Sequence, residues 1–202
     1  MFSLILIPLI VKQADASDFQ EDQVKSRLIV AFDEGVWDVT DSSFADLRVR
    51  ERLFGIWKTT SMRASLTGRI RVSTTRLSGT LSSDLSGISS DNSRRDAYVR
   101  ENLFNSSALS IFSCRVDIPG FAKVAERGKF SIETACRLGN VGSTQRFDVT
   151  SFQLGATPRV TLRGLLKLDD FGVRDVSQKP IVLVSRLVNL NVTLFLREVR
   201  FP

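Results

Sequence analysis

Alternation of apolar and polar residues with a period of two recurs from Gly35 almost to the end of the chain. No other feature restricts the fold as much, because only an extended strand turns successive side chains to opposite faces. In Ser43–Arg50, SFADLRVR, Ala45, Leu47 and Val49 share one face, and Asp46, Arg48 and Arg50 the other. Gly68–Ser73 sets Ile70 and Val72 against arginines, and Arg76–Leu85 keeps Leu77, Leu81 and Leu85 in phase. Leu109–Ile118 groups Phe112, Cys114, Val116 and Ile118, and Lys129–Leu138 groups Phe130, Ile132, Thr134, Cys136 and Leu138. Arg159–Leu168 aligns Val160, Leu162, Leu166 and Leu168, and Leu187–Leu196 aligns Val188, Leu190, Val192, Leu194 and Leu196. With Gly35–Val39 and Phe147–Gln153, eight or nine strands are expected, separated by turn material such as Pro119-Gly120 and Leu138–Ser143.

No long helical pattern interleaves, which disfavours a parallel α/β sheet, and an antiparallel barrel or sandwich is expected. A barrel of about eight strands holds one small ligand or fills itself with its own side chains. Alternation does not separate the two, because a ligand cavity and a packed core are both walled by Leu, Val and Ile.

Composition narrows the chemistry. The chain has no histidine, which removes Ser-His-Asp and Cys-His triads and the usual zinc sites. No cofactor or metal is expected, and the spacing of the two cysteines matches no zinc pattern. The net charge of +6 would suit an anionic partner, but the arginines are spread as single outward positions. That is the solvent face of a sheet, and with no aromatic RNA-binding motif present no nucleic-acid partner is expected.

At the N-terminus an apolar run, Phe2–Val11, is too short to span a bilayer and precedes Ala14-Asp15-Ala16, a small-residue cleavage pattern. Residues 1–16 are therefore expected to be a signal peptide, 17–34 an extension and 35–202 the folded domain, in a periplasmic or secreted protein. A core strand at the N-terminus is the alternative. Cys114 and Cys136 suit an exported chain with one bridge. In a hairpin that pairs Ile118 with Ser131 or Ile132 they fall opposite or nearly opposite each other, where a disulfide and two buried thiols fit equally well.

One segment departs from the strand pattern. Ser93–Phe104, SRRDAYVRENLF, carries Val99 and Leu103 at helical spacing behind Ser93 or Asp91 as an N-cap. A short helix inside an all-β chain reads as a lid or plug across a barrel mouth. This segment resembles the RDAHLRSADFFD-type motif of the YceI-like, polyisoprenoid-binding family, and the resemblance continues in order along the chain. WDVTDSSFADLRVR, LSGTLSSDLSGIS, CRLGNVGSTQRFDV, LLKLDDFGV and VNLNVTLFL are similar to successive family segments from about Gly35 to Leu196. The chain departs from the family where Tyr98 replaces the motif histidine, where Arg50-Glu51 replaces an Arg-His pair, and where a turn proline is missing.

The resemblance implies an all-β, antiparallel, eight-stranded lipocalin-like barrel with a short helical insert near residues 93–104. It implies an exported lipid-binding protein that sequesters or carries a polyisoprenoid or similar long-chain amphiphile in an apolar tunnel. Transient membrane contact and a homodimer are also expected. The candidate tunnel residues are Leu47, Val49, Leu81, Leu85, Phe112, Phe130, Ile132, Leu162, Val192 and Leu194. Arg50, Arg95 and the Tyr98 hydroxyl are candidates for a polar head group, though Arg95-Asp96 also reads as a helix tether. Trp37 and Trp57 are expected to close barrel ends, and Asp169-Asp170 to make a turn. No residue is assigned a catalytic role. A filled barrel acting as a protein-interaction or envelope-stress module is the alternative, and a histidine-free enzyme the remote third.

Overall fold

Main-chain hydrogen bonds join the alternating segments into one antiparallel sheet that meets itself. The computed structural model describes residues 34–104, 110–121, 130–153, 157–173, 175, 177 and 182–200. The expected signal peptide and all but the last residue of the extension lie outside them.

Ten strands run in chain order: β1 Gly35–Val39, β2 Phe44–Leu53, β3 Ile56–Ser65, β4 Thr67–Val72 and β5 Arg76–Asp84, then β6 Ile111–Pro119, β7 Phe130–Leu138, β8 Val141–Gln153, β9 Arg159–Lys167 and β10 Val182–Glu198. Among the described residues a helix, α1 (Ser93–Leu103), lies between β5 and β6, and 3-10 turns span Leu85–Gly87 and Leu168–Phe171. The sheet order is β1-β4-β5-β6-β7-β8-β9-β10, and β10 closes the ring by pairing Trp37 with Glu198 and Val39 with Leu196.

The ten strands make eight staves because two staves are broken. The last residues of β10 pair with β1 and its earlier ones with β2, so β1 and β2 are two halves of one stave along β10. At the break, Ser43 substitutes for the lost ladder bonds. Its hydroxyl accepts from the Phe195 amide at 2.9 Å and donates to the Phe195 carbonyl at 3.2 Å. β3 and β4, which flank Leu66, form the second broken stave, pairing with β2 and β1 in turn. The architecture of the described residues is thus a closed, eight-staved antiparallel barrel with the short helix α1 inserted between β5 and β6.

Three details differ from the sequence pattern. β3 was not expected at all, because its inward positions are Lys58, Thr60, Met62 and Ala64, a polar-to-small series without apolar alternation. β8 begins at Val141, inside the segment that reads as a turn, because its inward residues there are Ser143 and Gln145. The helix N-cap is Asn92, whose side chain accepts from the Arg95 amide at 3.1 Å, and neither Ser93 nor Asp91 fills that role.

The inward residues form one continuous core cluster. On the outer wall, cross-strand pairs Arg63–Asp46, Arg69–Asp38 and Arg76–Asp117 neutralise part of the positive charge. These pairs are exposed and each adds little to stability.

Candidate functional site

Antiparallel staves place the β2–β3, β5–β6, β7–β8 and β9–β10 connections at one end of the barrel and β4–β5, β6–β7 and β8–β9 at the other, while β1–β2 and β3–β4 join within the broken staves. Among the described residues the first end is the elaborated one. There the chain after β5 makes its 3-10 turn, buries Leu85 and Ile88, and bridges Ser89 to Arg63 of β3. α1 follows and packs Val99, with Phe104 just beyond it, against the core.

Two polar clusters hold α1 in place. Asp96, buried in the first turn, accepts from the Ser90 amide at 2.9 Å and the Ser90 hydroxyl at 2.6 Å. Burial pushes the Asp96 carboxyl up, but the two Ser90 donors and the Arg100 and Arg95 charges outweigh it. Its pKa therefore lies below the ordinary aspartate value. Arg95 reaches Asp91 at 3.0 Å and Glu51 of β2 at 3.6 Å, and also donates to the Ser90 hydroxyl at 3.4 Å. Glu51 faces inward, two residues along from Val49, and also takes Thr60 at 2.5 Å and Lys58 at 3.2 Å. Burial pushes the Glu51 carboxyl up. The hydrogen bonds from Thr60 and Lys58, with the Lys58 and Arg95 charges, bring it below its ordinary value.

A second capping piece comes from Leu165–Val173, LLKLDDFGV. The 3-10 turn at Leu168–Phe171 ends on Gly172 in a left-handed conformation, φ 64°, which folds Phe171 back into the barrel. Phe171 is buried and meets Phe112 edge to face, with ring centroids 5.6 Å apart. Arg186 ties Asp169 down at 2.7 Å, so Asp169-Asp170 belong to a turn, as their sequence implies.

Between the ends runs a cavity of about 150 Å³. Its wall is made by inward aliphatics from every stave and by six phenylalanines: Phe104, Phe112, Phe121, Phe130, Phe147 and Phe171. Ser82, Ser83 and Thr134 are the hydroxyl-bearing residues in that wall, and each hydroxyl is spent on the main chain. Ser83 Oγ donates to the Ser65 carbonyl at 2.9 Å, Ser82 Oγ to Phe112 at 3.4 Å, and Thr134 Oγ1 to Arg115. Such an interior offers water no partners and suits a purely apolar occupant.

Of the candidates drawn from the sequence, Leu47, Leu81, Leu85, Phe112, Phe130, Ile132, Leu162, Val192 and Leu194 lie on this wall. Three do not. Val49 is buried in the core but off the cavity wall. Arg50 points outward, because residues of β2 alternate and its neighbours Val49 and Glu51 take the inward face; its guanidinium sits 5.1 Å from the Trp57 ring centroid. Tyr98 is on the exposed side of α1, away from Val99. Trp57 is likewise half exposed and closes no barrel end, whereas Trp37 is buried. Arg95 does not pair with Asp96; both reach Ser90, and Arg95 alone reaches Glu51 of β2.

Glu51 is the residue that sequence reasoning passed over. Its signal was present: an acidic side chain in phase with Ala45, Leu47 and Val49, where the stripe would continue apolar.

Cys114 and Cys136 are paired residues of β6 and β7 on the inward face, and their sulfurs are bonded. Among the described residues no group of acidic or thiol side chains could hold a metal, and no helix is long and apolar enough to cross a membrane.

No family model matches the sequence, and no curated relative matches it. Solved structures do match the fold. A polyisoprenoid-binding domain from Saccharophagus degradans, implicated in plant cell wall breakdown, superposes with a TM-score of 0.57 at 17% identity. The match covers 83% of this chain and 100% of that one. BcnA of Burkholderia cenocepacia superposes with a TM-score of 0.55 at 12% identity, over 75% of this chain and 95% of its own. This chain therefore has the barrel fold that its resemblance to the YceI-like family implies, with a divergent sequence.

Proposed function

We propose that this protein is an exported binder of a long-chain apolar lipid of the polyisoprenoid type, whose tail occupies the barrel. One observation carries the reading: the wall of the cavity is apolar apart from three hydroxyls, and each of those is already bonded to the main chain. Burial of a hydrocarbon tail there is favourable by roughly 25 cal/mol per Å². The fold match to a domain described as polyisoprenoid-binding agrees with this.

The space of 150 Å³ is small, about that of a cavity that accepts one benzene ring. A prenyl tail therefore enters by turning phenylalanine rings aside. Phe112 and Phe171, whose edge-to-face contact joins the wall to the end cap, are the rings placed to move. Arg50 and Tyr98 do not face the cavity, so the head group sits outside it, at the end covered by α1. Export accords with the short N-terminal apolar run and with the Cys114–Cys136 bridge.

The same small volume favours the alternative of a self-filled barrel that serves as an interaction module. Native mass spectrometry of the purified protein, followed by titration with a long-chain prenyl alcohol, separates the two. Retained lipid, or stoichiometric uptake, is expected; an interior that stays empty throughout the titration removes the carrier reading and leaves the fold.

A further inference from the structure

The β2–β3 connection is a two-residue turn, Phe54-Gly55, with φ of 47° and 86°. Positive φ at both positions is the signature of a tight hairpin turn that favours Asn-Gly or Asp-Gly. Gly55 meets the requirement. Phe54 does not, since a bulky residue at positive φ is strained. Its side chain recovers nothing by burial, because it is 76% exposed. Two adjacent residues add to the same tip, Ile56 at 73% and Trp57 at 50% exposed. Ile56 to Thr59 are exposed on both faces of the ribbon, so this end of the hairpin stands clear of the barrel.

The outer face of β2 leading to the tip carries Arg48, Arg50 and Arg52 on alternate residues, spaced about 7 Å apart. Elsewhere on the wall Arg63, Arg69 and Arg76 face aspartates, but these three have no acidic partner among the described residues. Arg50 lies against the Trp57 ring, which holds the indole beside the cationic row.

We infer that the Phe54–Trp57 hairpin tip and the Arg48/Arg50/Arg52 stripe dock the barrel on an anionic lipid surface. A strained, exposed phenylalanine gains nothing for the fold in water, whereas its ring is taken out of water when it enters the headgroup boundary. Aromatic rings with polar edges settle at that depth, and the arginines meet anionic headgroups. A second copy of the chain is the poorer occupant, since a two-fold contact would set the cationic stripes against each other. The tip belongs to the end of the barrel that α1 covers, and Glu51, on the inner face of the same hairpin, is the residue that Arg95 grips. Docking thus presents the capped end to the membrane. As a route for loading the cavity it rests on the lipid-binding reading; as a docking surface it is measured apart from it.

The test is partition of the intact protein onto vesicles of equimolar phosphatidylcholine and phosphatidylglycerol, against phosphatidylcholine alone, by sedimentation and tryptophan emission. Because Trp37 is buried, a blue shift reports Trp57. Binding is expected to the anionic vesicles, to weaken with salt, and to fall about tenfold or more in Phe54→Asn and in the Arg50→Gln/Arg52→Gln pair. Asn suits the turn better than Phe, so the first variant is expected to keep or raise the melting temperature, which excludes misfolding as the cause. Equal partition of wild type and Phe54→Asn, or no preference for anionic vesicles, overturns the inference. So does a dimer in solution that Phe54→Asn makes monomeric without any vesicle binding. Prenyl alcohol uptake measured without vesicles reports the cavity separately, so either result stands or falls without the other.

Discussion

Arg95 of α1 lies 3.6 Å from Glu51 of β2, which fastens the helix to an inward-facing carboxylate at the rim of the barrel. Both side chains are largely covered, with 22% and 17% exposure, so this pair is screened less than the ion pairs of the outer wall. Replacing Arg95 with Met also removes its bonds to Asp91 and Ser90. We expect α1 to lose roughly 1 to 2 kcal/mol of local stability. Hydrogen exchange is the measurement: amides of Ser93–Leu103 should exchange about tenfold faster while those of β7 and β8 keep their protection.

Asp96 makes the same helix sensitive to acid. Its folded pKa is lowered, so its contribution is complete above the ordinary aspartate value and is lost as pH falls through the lowered one. Glu51, also lowered, acts in the same direction. Exchange of the α1 amides, corrected for intrinsic rate, should be constant from neutral pH to about pH 4 and rise below it. Asp96→Asn should remove most of that pH dependence and loosen α1 at neutral pH.

Leu81 lines the cavity and is only partly buried, so a larger side chain can grow into open space. Leu81→Trp should leave the protein folded, with a melting temperature within a few degrees of wild type, and abolish uptake of a prenyl alcohol. Leu47→Trp should behave likewise. Were the interior already filled, the same substitutions would overpack it and destabilise the fold by about 1 to 3 kcal/mol. Thermal unfolding beside ligand titration distinguishes the outcomes.

The Cys114–Cys136 bridge closes a loop of 22 residues between neighbouring strands. Its removal in Cys114→Ala/Cys136→Ala should cost about 3 kcal/mol of stability, mostly through the unfolded chain. Urea denaturation with and without reductant checks this; the reductant should shift the wild-type midpoint and leave that of the double variant in place.

Much of the barrel is legible in local pattern because burial on one face of a strand imposes a period of two. β1, β2, β4 to β7, β9 and β10 all display it, and nine of the ten tunnel candidates that it offers lie on the cavity wall. The pattern fails where the inward face is not greasy. β3 escapes because Lys58 and Thr60 turn inward toward Glu51, and the start of β8 escapes because Ser143 and Gln145 do. The head-group candidates lie off the cavity wall for a different reason. Arg50 and Tyr98 are picked out by their chemistry, but their direction is set by the neighbours that claim the inner face.

By itself the sequence determined the strands with apolar inward stripes, the helical insert and the nearness of the two cysteines. Each of these follows from residues close together in the chain, where the stereochemistry of two or four successive positions is decisive. Only the tertiary structure decided that two staves are broken, that Ser43 repairs one break, that Glu51 receives Arg95, and that Phe54 and Trp57 stand outside while Phe171 turns in. Those outcomes depend on ring closure, which brings Ser43 to Phe195 across 152 residues and leaves a hairpin tip with nothing to pack against.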